Sequence, residues 1–135
     1  MKSIEVMDAC ALIAYLKQEP GGSEVERLLD DPDRECYVHA VNLCEVYYQI
    51  MRSSDEKTAQ LSLDLIRAAG LIILEDMDEV FWKAVAQIKA RGKISLADCF
   101  CLCLAIRLGG RVVTSDHGEF DPLVPLELCP ILFIR

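Results

Sequence analysis

The stretch SIEVMDACALIAYL, residues 3–16, carries the strongest indication of the fold class. Residues Ser3–Met7 have the character of a short strand, and residues Ala9–Leu16 form an apolar, helix-compatible run. Asp8 stands between the two, where the chain is predicted to pass from strand to helix. A carboxylate at that place either caps the helix or serves a site beyond the carboxyl end of the strand.

The same alternation of strand and helix continues along the chain. Further strands are predicted at residues 36–38, 71–74, 112–114 and 131–134. Helices are predicted at residues 23–29, 41–51, 55–69, 78–90 and 96–108, with N-caps at Ser23, Asp55 and Ser95 and a loop at residues 115–118. This alternation predicts a single α/β domain over residues 1–135, with a parallel sheet covered by helices on both faces.

Composition excludes several classes of protein. With 53% apolar residues and no tract rich in Ser, Gly or Pro, the chain is expected to fold throughout. Its apolar runs are far shorter than the roughly 18 residues that cross a bilayer, and Glu5 and Asp8 interrupt any secretory signal, so a cytoplasmic location is expected.

The seven cysteines are predicted to be reduced core thiols, because their number is odd and no CxxC pair occurs. A zinc site at Cys99, Cys101 and Cys103 is disfavoured because residues two apart on a helix point to different faces. The net charge of -8 argues against a broad basic surface for nucleic acid. A nucleic-acid substrate then needs local recruitment, and the acidic surface also suits a basic protein partner.

Four acids are candidates for a functional site, although each also has an ordinary explanation. Asp8 can cap a helix, Glu45 can be solvated on an amphipathic helix, and Asp116 can form a turn. Asp98 can interact favourably with the helix dipole, but it lies in a helix that is otherwise apolar on almost every side. An ionised carboxylate in that position is costly unless it is paired or bound to a cation.

Taken together, the four acids predict a metal site. Asp8 and Asp116 follow strands, while Glu45 and Asp98 lie near the starts of helices, so all four can share one edge of the sheet. Without a cation each close pair would repel by about 4 kcal/mol at an effective dielectric near 20. Oxygen ligands favour Mg²⁺ or Mn²⁺, and a metal held in this way supports hydrolysis of phosphodiesters.

Four blocks of this sequence resemble the PIN domain family, and within it the VapC-type toxins of toxin-antitoxin pairs. The blocks are residues 7–16 (MDACALIAYL), 42–46 (NLCEV), 95–99 (SLADC) and 114–123 (TSDHGEFDPL). Their order along nearly the whole chain is specific to the family, whereas any one block alone is weak.

The resemblance implies a three-layer α/β/α sandwich that cleaves RNA with Mg²⁺ or Mn²⁺, forms a homodimer and is inhibited by an antitoxin. It implies metal ligands at Asp8 and Asp98, with Glu45 and Asp116 completing the ligand set or orienting the water. It also implies that Glu119 and Asp121 are acids at the outside of this metal site. The family commonly has Ser or Thr where this chain has Cys10, and a thiol is the poorer hydrogen-bond partner. Weaker metal binding is therefore expected unless Ser115 supplies the missing hydroxyl.

Two alternatives remain open from the sequence. One is a PIN-fold binding module with little activity, which Cys10 and the acidic charge both permit. The other is a phosphoacceptor receiver-like domain, although Asp8 has no acidic neighbour and no Lys follows Lys93. His117, Trp82 and Tyr47 are interpreted as solvated or core residues rather than as contacts to substrate.

Overall fold

The computed structural model describes residues 1–135. Five strands lie at Ser3–Met7 (β1), Arg34–His39 (β2), Ile72–Leu74 (β3), Arg111–Thr114 (β4) and Ile131–Phe133 (β5). Seven α-helices lie at Ala9–Leu16 (α1), Gly22–Asp30 (α2), Ala40–Ser53 (α3), Glu56–Ala68 (α4), Glu79–Arg91 (α5), Leu96–Leu108 (α6) and His117–Phe120 (α7), and a 3₁₀ helix spans Asp121–Leu126.

All five strands form one parallel sheet in the order β3-β2-β1-β4-β5. Strand β1 lies at its centre, where Val6 pairs with Tyr37 of β2 on one side and Val112 of β4 on the other. Parallel pairing brings the carboxyl ends of β1, β2 and β4 to one edge of the sheet, which we call the carboxyl edge.

Helices cover both faces of the sheet, as the sequence predicted. Successive residues of a strand point to opposite faces, so Val6 packs against the helices on one face and Met7 against those on the other. Helices α1–α4 pack with Met7, and α5–α7 pack with Val6. The result is the expected three-layer α/β/α sandwich. None of its helices combines the length and the apolar character needed to span a membrane.

The structure differs from the sequence prediction at two turns. Helix α2 begins at Gly22 with Gly21 as its N-cap, so Ser23 lies inside the helix and does not cap it. Gly21 has φ of 92°, and a Cβ atom on Gly22 would lie 2.3 Å from the carbonyl oxygen of Ala14, so the turn is too tight for larger residues. Residues 117–118, expected in a loop, belong to α7, because the Asp116 side chain caps a short helix there.

Candidate metal centre

Asp8 lies directly after β1 at the carboxyl edge and is only 1% exposed. Its Oδ1 atom accepts a hydrogen bond of 2.8 Å from the backbone N–H of Ala11 and so caps α1. Its Oδ2 atom accepts a hydrogen bond from the hydroxyl of Thr114, at the end of β4. The helix cap and the neighbouring strand thus hold the Asp8 carboxylate in one orientation.

Thr114 connects two of the four predicted acids. Its hydroxyl donates to Asp8 and accepts a hydrogen bond of 2.9 Å from the backbone N–H of Asp116. The Asp116 side chain in turn accepts from the N–H of Glu119 at 3.0 Å, which caps α7. Thr114 is fully buried, so these hydrogen bonds are shielded from water and fix the positions of the acids on β1 and β4 relative to each other.

Asp98 lies in the first turn of α6, facing the same edge. Ser95 caps the helix by accepting from the N–H of Asp98 at 3.2 Å, and its hydroxyl donates back to Asp98 Oδ2 at 2.9 Å. The N–H of Ser95 donates to Glu119 Oε2 at 2.9 Å, which joins the start of α6 to α7. Glu119, predicted as an outer acid, therefore stands next to Asp98.

Glu45 lies on α3, which follows β2, and its side chain is half-buried. One turn earlier on the same helix, the buried Asn42 donates from Nδ2 to the carbonyl of Ala97 at 3.0 Å. Ala97 immediately precedes Asp98, so this bond fixes the helix of Glu45 to the helix of Asp98. The Oδ1 atom of Asn42 is buried and has no hydrogen-bond partner.

The pKa values of Asp8 and Asp98 are raised by burial and by the charges of other acids. The pKa of Asp8 is raised from 3.8 to about 7, first by burial and to a smaller extent by the charges of Asp98 and Asp116, and the hydrogen bonds from Thr114 and Ala11 act against this rise. Burial likewise raises the pKa of Asp98 to about 6, with contributions from Glu119, Asp116 and Glu45. These shifts mark two buried carboxylates at the carboxyl edge, each of which is also affected by the charge of other acids there.

Cys10 provides a second sign that the acids converge. The pKa of its thiol is raised to about 12, first by burial and then by Asp8, Asp116, Asp98 and Glu45. All four predicted acids therefore lie around Cys10. Burial is also what raises the pKa of Glu45. The thiol remains protonated at neutral pH and adds no charge to the cluster.

The acids fit a hard divalent ion by their chemistry, although their side chains stand apart. No three His, Cys, Asp or Glu side chains lie close enough to share one ion in this arrangement. Movement of these side chains is therefore needed for three of them to bind together. Mg²⁺ is usually held by only one or two carboxylates and retained waters, so it does not require a protein cage. The raised pKa values of Asp8 and Asp98 indicate a site that a cation would stabilise.

The remaining predicted outer residues have different surroundings. Ser115 is half-buried, and it is Thr114, not Ser115, that supplies the hydroxyl bound to Asp8. Asp121 is exposed and pairs with His117 at 2.9 Å, on the side of α7 where the chain ends. The second ring nitrogen of His117 is hydrogen-bonded to the carbonyl of Arg135 at 2.7 Å. Both nitrogens are occupied, which argues against His117 as a general base.

Sequence reasoning missed Thr114 and Asn42 as parts of the site. Thr114 ends a strand one residue before the predicted loop, and a hydroxyl at the carboxyl edge is a usable signal. Asn42 lies on the buried face of an apolar helix, three residues before Glu45. A buried amide at helical spacing from a candidate ligand is the signal that could have identified it.

The fold and this cluster define a class: a parallel α/β protein with carboxylates gathered at the carboxyl edge of its sheet. The PIN domain family model matches residues 6–122. The chain therefore belongs to the PIN domain family. A search of curated proteins by sequence finds no match.

Solved structures with the same fold include several toxin-antitoxin proteins. DNA-bound VapBC from Salmonella typhimurium is 19% identical, with 100% of each chain covered and a TM-score of 0.77. VapBC2 from Rickettsia felis, bound to a promoter DNA fragment, is 15% identical over 96% of this chain and 98% of that chain, with a TM-score of 0.72. VapC20 from Mycobacterium tuberculosis, described as a sarcin-ricin loop cleaving toxin, is 15% identical over 90% and 95%, with a TM-score of 0.69. At these identities the likeness establishes the fold alone.

The strand order also separates the chain from the receiver-like alternative. Receiver domains of the CheY type have the order 2-1-3-4-5, whereas the order here is β3-β2-β1-β4-β5. The first strand is thus flanked by the second and fourth strands, which brings Asp8 beside Thr114. The strand order therefore excludes a receiver-like domain.

Proposed function

We propose that this protein is an endoribonuclease that depends on Mg²⁺ or Mn²⁺, hydrolyses RNA phosphodiester bonds, and acts as the toxin of a toxin-antitoxin pair. The observation that carries this proposal is that Asp8, Glu45, Asp98 and Asp116 all raise the pKa of Cys10 at the carboxyl edge, with the pKa values of Asp8 and Asp98 themselves raised to about 7 and 6. Membership of the PIN domain family supports a nuclease, and VapC20, which has this fold, is described as a sarcin-ricin loop cleaving toxin.

In this proposal Asp8 and Asp98 hold the ion, while Glu45 and Asp116 complete its ligands or orient the attacking water. A divalent ion bound there supplies an activated water and offsets the negative charge on a phosphodiester oxygen. Thr114 and Ser95 keep the carboxylates of Asp8 and Asp98 directed by hydrogen bonds. Loss of such supporting contacts typically lowers metal affinity or activity by about 10- to 100-fold.

Glu119 has a supporting role in this proposal. It accepts from the N–H of Ser95 and so fixes the start of α6, and it adds negative charge beside Asp98. Cys10 stays neutral among the acids and contributes no ligand charge. We expect a hydroxyl at that place to bind a water or a carboxylate more strongly than the thiol does.

The partners proposed are a homodimer mate and a cognate antitoxin in the cytoplasm. Structures with this fold include VapBC complexes from Rickettsia felis and Salmonella typhimurium. An antitoxin that places an Arg or Lys among the carboxylates of this acidic chain would offset the repulsion between them and prevent the divalent ion from binding. A small protein with a basic segment, encoded beside this gene and recovered with it, is the expected result of a pull-down from the native host.

Activity is tested with single-stranded and hairpin RNA oligonucleotides, with Mg²⁺ or Mn²⁺ and with EDTA. We expect internal cleavage that EDTA stops and that Asp98→Asn lowers by at least about a hundredfold. Asp30→Asn is the matched control, because Asp30 is exposed at the end of α2 and its loss should leave the rate unchanged. Cleavage that survives both EDTA and Asp98→Asn contradicts the metal mechanism. A protein that binds a partner and never cleaves RNA supports the binding-module alternative.

A further inference from the structure

Fewer than half of the lysines and arginines of this acidic chain form ion pairs with carboxylates. Six of its 14 lysines and arginines form ion pairs with carboxylates: Arg27, Arg34, Lys83, Arg107, Arg111 and Arg135. Three of the other eight, Lys89, Arg91 and Lys93, fall within five consecutive residues. These three residues, which we call the basic turn, are all exposed where α5 ends and the chain passes to α6.

The basic turn lies beside the carboxylate cluster. The Lys89 ammonium donates a hydrogen bond of 2.9 Å to the carbonyl of Ile94, the residue directly before Ser95. Ser95 in turn contacts both Asp98 and Glu119. Lys93 is two residues from Ser95, so their Cα atoms are at most about 7 Å apart. The Lys89 charge thus lies next to the residue that precedes the N-cap of α6, and Arg91 and Lys93 follow Lys89 along the chain.

Lys89 already makes one hydrogen bond within the fold, which directs its ammonium toward the start of α6. One of its three ammonium N–H groups is used by Ile94, and no carboxylate pairs with the remaining two. An ammonium held this way loses little further side-chain entropy when it binds an anion. Arg91 adds a guanidinium, whose planar fork suits phosphate oxygens.

The charge balance explains why such a feature matters here. At a net charge of -8 the protein repels a polyanion as a whole, so any nucleic acid must be attracted locally. Backbone phosphates of single-stranded nucleic acid are bound mainly by lysines and arginines along a groove. A metal ion neutralises the reacting phosphate only, and the phosphates next to it need cations of their own.

We propose that the basic turn binds the RNA backbone phosphates that flank the cleaved bond, on the side of the site where α6 begins. The inference rests on the proposed ribonuclease function and identifies its substrate-binding residues. Lys89 binds the phosphate nearest to the carboxylate cluster, because its ammonium is hydrogen-bonded to the carbonyl of Ile94, directly before Ser95. Arg91 and Lys93 bind the following phosphates along the strand.

The test measures RNA binding separately from cleavage. A fluorescent single-stranded RNA is titrated with the Asp98→Asn protein in Mg²⁺, where it stays intact, across salt concentrations from 50 to about 300 mM. Into this parent we introduce Arg91→Gln with Lys93→Gln, which leaves the Lys89 hydrogen bond in place. The matched control carries Lys57→Gln with Arg67→Gln, two exposed and unpaired residues on α4.

We expect the double substitution in the basic turn to weaken RNA binding by about tenfold at 0.15 M salt. Each phosphate contact contributes about 0.7 to the slope of log K against log salt, and two contacts are lost. The slope of log K against log salt should fall by about 1.4, and the control should keep the slope and affinity of the parent. Equal affinity and slope for the basic-turn variant and the control overturn the inference while leaving the proposed function standing. A wild-type protein that neither binds nor cleaves any RNA overturns both.

Discussion

Replacing Asp8 by Asn should make the metal-free protein more stable at high pH. Asp8 is 1% exposed and its pKa is raised from 3.8 to about 7, first by burial. A carboxyl whose pKa is higher in the folded than in the unfolded protein contributes stability below about pH 4, which is lost as the pH rises through about 7. Wild-type protein without metal should therefore become less stable from pH 5 to pH 8.

The magnitude follows from the size of the shift. A shift of the Asp8 pKa from 3.8 to about 7 corresponds to roughly 4 kcal/mol when the carboxyl is ionised. Because the protein relaxes and admits water around an ionised carboxylate, we expect about half of this, roughly 2 kcal/mol. In a domain of this size, about 2 kcal/mol corresponds to a rise in Tm of roughly 7 °C. An amide oxygen at residue 8 can still cap α1 through the N–H of Ala11.

Thermal unfolding at pH 5 and pH 8, with EDTA or with Mn²⁺, checks this prediction. In EDTA at pH 8 we expect Asp8→Asn to unfold at a higher temperature than wild type, with a smaller difference at pH 5. Mn²⁺ at a hundred times its Kd should stabilise wild type by about 2.7 kcal/mol and leave Asp8→Asn unchanged. The Asp30→Asn control should follow wild type throughout. An Asp8→Asn protein that is less stable than wild type at pH 8 in EDTA would refute the reasoning.

Two further predictions concern the surroundings of the cluster. Asn42→Leu removes the hydrogen bond to Ala97 together with an unpaired buried acceptor, so stability should change by less than about 1 kcal/mol. Binding of Mn²⁺, followed by calorimetry, should weaken about threefold to tenfold, because the helices of Glu45 and Asp98 lose their connection; unchanged binding would show that Asn42 has only a packing role. Alkylation by iodoacetamide at pH 8, followed by mass spectrometry, should be far slower at Cys10, whose pKa is about 12, than at the exposed Cys44. Equal rates at the two cysteines would show that Cys10 is not enclosed by the acids.

Each of three site acids has a structural role as well as a proposed functional one. Asp8 and Asp116 cap helices, and Asp98 forms a reciprocal pair with its own cap, Ser95. Of these roles only the Asp8 cap was predicted from the sequence, which indicated a turn for Asp116 and an interaction with the helix dipole for Asp98. The two roles are compatible, because a cap uses one carboxylate oxygen and fixes the direction of the other. The caps therefore place the charges, and their mutual repulsion is the cost that a bound cation offsets.

The parts of the site that follow from local sequence were predictable, and those that depend on distant partners were not. Asp8 and Asp116 could be placed because parallel strands end at one edge, and Asp98 because Ser95 marks the start of its helix. By contrast, the Thr114 hydroxyl meets Asp8 from 106 residues away, and a local pattern carries no information on that contact.

Asn42 is the clearest case of a site residue whose role depends on a contact that is distant in sequence. Its partner Ala97 is 55 residues away, and in the sequence Asn42 is one polar residue on an apolar helix. Only because α3 packs against α6 does Asn42 join the helix that carries Glu45 to the helix that carries Asp98. An amide with an unpaired oxygen contributes little net stability when buried, since one hydrogen bond hardly offsets the loss of hydration. Its presence beside the cluster is better explained by the geometry it gives Glu45 and Asp98 than by the stability of the fold.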